Sequence, residues 1–161
     1  MDAAALVEME AIKRLKYRYL RCLDQKEWDE MAACFVPDAT ASYGGGAYVL
    51  DGREAILVFL RRTMGAETVL SSHRVHQPEI ELGADGTATA TWAFDDVVVD
   101  EKLIVTIRGA GFYQDEYVKV DGSWLIRSTG YRRSFEEIQR REGVRITASW
   151  WGTDGRSTLP A

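Results

Sequence analysis

The 161-residue chain holds only two cysteines, two histidines and three prolines. Cys22 and Cys34 have neither CxxC spacing nor further sulfur partners. That argues against a disulfide framework or a zinc site, and both read as small core residues. No apolar run approaches the roughly 20 residues needed to cross a bilayer, and no Lys/Arg cluster is interleaved with aromatics. Acidic residues outnumber basic ones 25 to 20, for a net charge of -5, which argues against a nucleic-acid surface or a polyanionic partner. The start, Met1-Asp2-Ala3-Ala4-Ala5, lacks the basic and apolar regions of a secretory signal, so the expected location is the cytoplasm. P-loop, GxGxxG, HExxH and nucleophile-elbow patterns are missing as well; neither a metal nor an organic cofactor is expected.

What is present suits one domain over 1–161, since 46% apolar residues can furnish a sizeable core at this length. Ile12, Leu15, Tyr19 and Leu23 recur at helical spacing and predict an amphipathic helix from Glu8 to Gln25. Trp28, Met31, Ala32 and Phe35 mark a shorter helix ending before Pro37. Gly44-Gly45-Gly46 predicts a loop or a closely approached strand, and Asp51 is the expected N-cap of a third helix over Glu54 to Leu60. The period then changes to two. Glu79 to Leu82 runs into Asp85-Gly86, Thr87 to Phe94 returns, and a long strand from Lys102 to Val120 meets Trp124 to Thr129 across Asp121-Gly122. Gly109 and Gly111 predict a kink or bulge in the long strand. Ser134-Phe135-Glu136-Glu137 matches a capping box, so a short helix is expected over Phe135 to Arg141. The domain core is placed at about 6–135, with a tail from about 136. The class is α+β, three N-terminal helices packed on one face of a bent antiparallel sheet.

Chemistry has few places to reside. Both histidines fall in Ser71-Ser72-His73-Arg74-Val75-His76-Gln77-Pro78, and histidine is the side chain whose charge ordinarily changes near neutral pH. Strand parity leaves their direction open. A continuous strand turns His76 inward with Ile80 and Leu82, whereas a bulge at Pro78 turns His73 inward with Val75. In the strand from Thr87, an inward face of Ala88, Ala90, Trp92 and Phe94 carries Asp96 with it. A carboxylate so placed must find a cation or several donors; alternatively the strand ends at Phe94 and Asp96 is solvated. Asp24 follows a helix C-terminus, an electrostatically poor place for an acid. Arg132 and Arg133 are candidates to neutralise an anion.

Read together, Tyr19-x4-Asp24-x3-Trp28, Phe35-Val36-Pro37-Asp38-Ala39, Gly52-Arg53-Glu54-Ala55-Ile56, His73-x4-Pro78-x-Ile80, Trp92-Ala93-Phe94-x-Asp96 and Gly122-x-Trp124-x-Ile126 resemble the SnoaL-like branch of the nuclear transport factor 2-like superfamily over nearly the whole chain. That resemblance implies a cone-shaped, highly curved antiparallel sheet that three helices close over a ligand cavity. Relatives include scytalone dehydratase, bile-acid 7α-dehydratase, ketosteroid isomerases, polyketide cyclases and non-catalytic subunits, so fold alone leaves the reaction open. The dehydratase pattern falls here on Tyr19, Asp24, His73 and Asp96, with an arginine at or near Arg133. Asp96 stands where the scytalone enzyme would have a second histidine, which argues against scytalone-like substrates. The resemblance thus implies a cofactor-independent lyase or isomerase acting on a bulky apolar, steroid- or polyketide-like carbonyl compound, with Trp92, Phe112, Tyr43, Tyr48 and Phe59 lining the cavity. The alternative is a non-catalytic binding or assembly module. A homo-oligomer, dimer or trimer, is expected in either case.

Overall fold

The computed structural model describes residues 2–160. Helix α1, Ala3–Gln25, starts earlier than its apolar stripe, because Asp2 accepts a 2.8 Å hydrogen bond from the Ala5 amide and caps the alanine-rich first turn. It ends where Lys26 turns left-handed at φ 57° and its N–H reaches the carbonyls of Cys22 and Leu23. The Lys26 ammonium donates to the carbonyls of Met64 and Val69 at 2.7 and 2.9 Å, and lies 4.3 Å from the ring centre of Trp151. The end of α1 is thereby tied down, two residues beyond Asp24. Helix α2, Trp28–Ala32, is shorter than expected, since Phe35 already belongs to strand β1, Phe35–Tyr43. Pro37 sits within β1 at the register irregularity between Phe35 and Thr40, where a missing N–H costs no ladder bond.

A single 3₁₀ turn over Gly44–Gly46 leads to β2, Tyr48–Asp51. Asp51 pairs with Thr40 in the ladder instead of capping α3, and Gly52 at φ 91° precedes that helix, Arg53–Met64. Strands β3, Val69–Leu82, β4, Thr87–Asp100, β5, Val105–Val120, and β6, Ser123–Arg140, follow as a meander. Asp121 and Gly122 both take positive φ, 49° and 81°, as a type I′ hairpin turn requires. The expected helix over Phe135 to Arg141 is absent: Phe135 pairs with Ala110 and Arg140 with Val105, so the sheet runs past residue 135. Ser134 is the extra residue of a bulge opposite Ala110 and Gly111, and long-range pairing overrides the local capping pattern.

The six strands form one curved, unclosed sheet in the order β2-β1-β6-β5-β4-β3. It is not wholly antiparallel, because β1 runs parallel to β6. Buried residues of α1, α2, α3 and of every strand but β2 build one cluster on the helix side. Alternation is clear on β4, where Ala88, Ala90, Trp92, Phe94 and Asp96 are buried and the intervening residues are not. Among the described residues, no helix is long and apolar enough to cross a membrane.

Candidate active site

One transverse row of the sheet collects most of the candidate chemistry. His73 pairs with Asp96, Asp96 with Gly109 and Gly109 with Glu136, so all four positions face the helices. The parity question is settled by a bulge: Val75 pairs with Phe94 but Pro78 with Trp92, one residue more on β3 than on β4. His73 therefore turns inward, its side chain 9% exposed, while His76 turns out and pairs with Asp95 at 2.5 Å. Asp96 is 4% exposed, in agreement with its place on the apolar face of β4.

Asp24 meets this row from the end of α1. One oxygen accepts from the Ser71 hydroxyl at 2.8 Å and lies 2.7 Å from His73 Nδ1; the other accepts from the His73 backbone N–H at 2.9 Å. Burial pushes the Asp24 carboxyl up, but the His73 ring, its backbone N–H and the Ser71 hydroxyl outweigh that and hold it below the usual carboxylate range. An ionised carboxylate can only accept, so Nδ1 carries the proton and the lone pair of neutral His73 is on Nε2. Nε2 points along the row, 3.6 Å from Asp96. Because folding depresses the Asp24 value, the carboxylate contributes stability above the unfolded value of about 3.9, and that contribution is lost as pH falls through the folded one. Asp24→Asn should destabilise the protein at neutral pH, and urea melts should show its gap to wild type closing on acidification. A gap constant from pH 7 to 3 would contradict this.

Arg133 grips Asp96 with both terminal nitrogens, at 2.6 and 2.9 Å, and its Nε lies 2.9 Å from Glu136. Burial opposes the guanidinium charge, yet the Asp96 contacts overcome it and hold the Arg133 pKa above its ordinary value. The choice between Arg132 and Arg133 is thus resolved: Arg133 is inward and Arg132 exposed. Gly109 makes room for the guanidinium, since a Cβ there would lie 2.5 Å from Arg133 Nη1 and 2.8 Å from the Phe135 carbonyl. We expect Gly109→Ala to lower stability by about 1–3 kcal/mol, the usual cost of overpacking, as read from denaturant unfolding; an unchanged midpoint would contradict it.

Tyr19 lies elsewhere. It is 1% exposed, and its hydroxyl is 3.0 Å from that of Tyr43, forming a pair whose phenols burial pushes above their ordinary range. Aromatic contacts connect this pair to the ion pair: Tyr43 packs on Tyr131 at 5.7 Å between ring centres, and Arg133 lies 5.2 Å from the Tyr131 ring. Tyr43 was expected only as cavity lining, and Ser71, Tyr131 and Glu136 were not foreseen as site residues, although Ser71 and Tyr131 stand two residues from His73 and Arg133 and so share their faces. Deeper still, fully buried Lys16 lies 2.7 Å from Asp115, which also accepts from Tyr117 and Thr129 at 2.7 and 2.6 Å. The Lys16 ammonium lies 3.6 Å from the Tyr113 ring centre.

The expected lining is redistributed. Trp92 is fully buried and donates its indole N–H to Tyr117, so it is core. Tyr43 and Phe59 stack at 5.8 Å, and Tyr48 covers Phe59 from a half-exposed position. Phe112 lies on the opposite sheet face, because its partner Ala93 is on the outward parity of β4. There it borders an open groove of about 880 Å³ with Gln114, Glu116 and Thr91. Asp24 and His73 instead border a cleft of about 550 Å³ between α1 and β3, with Tyr17, Leu20 and Val75.

Solved structures share this architecture. A crystal structure named for scytalone dehydratase, from Novosphingobium aromaticivorans, matches with TM-score 0.78 at 27% identity, covering 98% of this chain and 99% of that one. A hexachlorocyclohexane dehydrochlorinase, LinA-type3 from Novosphingobium barchaimii LL02, matches with TM-score 0.78 at 18% identity over 91% of this chain and 98% of that one. LinA Type2 matches with TM-score 0.79 at 17% identity over 91% and 97%. At these identities the two dehydrochlorinases bear on the fold alone. The SnoaL-like domain model matches residues 4–130, four fifths of the chain with α1, Asp24, His73 and Asp96 inside it, and the chain belongs to the SnoaL-like domain family.

Proposed function

We propose that the protein is a cofactor-independent lyase or isomerase of the dehydratase kind, with His73 as its general base. The observation that carries this reading is the Asp24–His73 pair, with the ring locked through Nδ1 and Nε2 left free on the inward row. His73 Nε2 takes the proton alpha to a substrate carbonyl, and Asp24 stabilises the imidazolium that forms. Asp96, balanced by Arg133, adds a second negative charge 3.6 Å from the same nitrogen. The N–H groups of Arg133 not engaged by Asp96 and Glu136 are the donors available to the enolate, whereas the Tyr19–Tyr43 hydroxyl pair is buried apart from this row. In a dehydration the imidazolium returns its proton to the departing hydroxyl: the C–H and C–O bonds break, a C=C bond forms and water leaves. The cleft of about 550 Å³ that Asp24 and His73 border, with Tyr17, Leu20 and Val75 on its walls, is the space open to an apolar small molecule. Neither nucleic acid nor a membrane enters the scheme.

Long-range ¹⁵N–¹H spectra test the premise. His73 should show protonated Nδ1 and unprotonated Nε2 when neutral, and Asp24→Asn should abolish that bias, while His76 keeps its own pattern. A protonated Nε2 in neutral His73 would remove the base from the scheme.

A second reading, a non-catalytic small-molecule-binding or assembly module, is favoured by one observation. Tyr43, Phe94, Tyr113 and Tyr131 pack on one another with ring centres 4.8–5.7 Å apart, so much of the space between helices and sheet is already filled. Under that reading His73→Ala leaves ligand affinity unchanged and no turnover is found.

A further inference from the structure

Strand β6 is paired unequally along its two sides. Its pairing with β1 ends at Ser42↔Gly130, whereas its pairing with β5 continues to Val105↔Arg140. From Tyr131 onward the β1 side of β6 has no strand partner among the described residues. Open edges of this kind are templates for another strand. Glu136, Ile138 and Arg140 share one face, being paired with Gly109, Ile107 and Val105 of β5. All three are exposed, Ile138 by 68% although it is apolar. Phe135, on the other face, is also exposed.

We propose that this edge pairs with β6 of a second copy of the chain, antiparallel, about a two-fold axis through Ile138. The order Glu136-Glu137-Ile138-Gln139-Arg140-Arg141 is self-complementary in that register. Ile138 meets Ile138, Glu136 meets Arg140 twice, Glu137 meets Gln139 and Phe135 meets Arg141. Directly opposed opposite charges stabilise a strand pair, and like charges oppose it. Neighbouring registers that keep the two sheets facing the same way are worse. An axis at Glu136 or at Glu137 opposes that acid to itself; one at Gln139 sets Ile138 against Arg140 and Glu136 against Glu142, which offsets its pairing of Glu137 with Arg141. A two-fold contact uses one patch twice, which is what this charge order provides. Glu136 also touches Arg133, so the contact adjoins the candidate site while resting on none of the proposed chemistry. A strand-edge contact is small beside the roughly 1,600 Å² of a standard interface, so the dimer forms in a concentration-dependent way.

The test uses the full chain with Ile138→Cys and a short bismaleimide linker. Cys22 and Cys34 are both fully buried and do not compete. Ile138→Cys should give covalent pairs in high yield, and Glu137→Cys or Gln139→Cys markedly fewer. In sedimentation over a concentration series, Arg140→Glu or Glu136→Lys alone should weaken self-association several-fold, and the two together should restore it. A monomer at every concentration, equal linking at the three positions, or charge reversals without mutual rescue would each overturn the proposal; an oligomer built through another face shows itself by the last two.

Discussion

His73→Ala should lower turnover by roughly 10²- to 10⁴-fold, the usual range for removing a general base, while far-UV circular dichroism and the melting temperature stay near wild type. The fold should survive because neither carboxylate loses all its partners. Asp24 keeps the Ser71 hydroxyl and the backbone N–H of residue 73, which the substitution leaves in place. Asp96 keeps both arms of Arg133. His76→Ala is the matched control: its ring is 46% exposed and bonded to Asp95 on the outer side of β3, so turnover should not change. The assay follows exchange of the alpha proton of neutral polycyclic ketones in D₂O, which needs no leaving group and so separates proton abstraction from elimination. Equal exchange by wild type and His73→Ala would dispose of the base. Asp24→Asn should retain part of the rate, because the ring loses its orientation and its counter-charge but keeps Nε2.

How far this site could be read in the sequence depends on which order of structure each residue needed. Asp96 was accessible to period-two reasoning, because Ala88, Ala90, Trp92 and Phe94 fix the inward face of β4 and the strand continues without a bulge to Asp100. His73 was not accessible by the same means. Its direction depends on an extra residue between Val75 and Pro78, which exists only relative to β4, and two neighbouring histidines gave parity two self-consistent answers. The family resemblance chose His73, and the bulge is the physical reason that choice agrees with the geometry. Ser134 misled in the opposite sense. A hydroxyl followed at three residues by an acid is a fair sign of a helix start, but here Phe135 to Arg140 find partners on β5, and Ser134 is left over as the bulge. Phe112 shows a similar limit: an aromatic in a long strand announces neither face until its pairing with Ala93 is known.

Lys16→Met should be the most damaging substitution away from the histidine, costing about 3–5 kcal/mol, the range found when one member of a buried ion pair is removed. Lys16 and Asp115 have side chains 0% exposed, and burial alone pulls the Lys16 pKa below its ordinary value against the opposing pull of Asp115. Without the ammonium, Asp115 keeps only the neutral hydroxyls of Tyr117 and Thr129, and an uncompensated charge lies under the aromatic layer. Replacing both, Lys16→Met with Asp115→Leu, should recover much of the loss, since a well-packed apolar pair avoids the desolvation of two ions. Recovery should be incomplete, because the Thr129 and Tyr117 hydroxyls both lose their acceptor, Tyr117 keeping only the N–H it accepts from the Trp92 indole. Urea unfolding with a common slope measures all three variants, and a single-substitution cost under about 1 kcal/mol, typical of exposed pairs, would mean that water reaches Lys16. The same arithmetic explains why the pair was hard to read as such. Lys16 stands four residues after Ile12 and three before Tyr19, on the buried stripe of α1, and Asp115 stands two from Tyr113 and Tyr117, on the buried face of β5. Each charge taken singly contradicts its own apolar face, and only the two together, brought to 2.7 Å by the packing of α1 on the sheet, make either one tolerable.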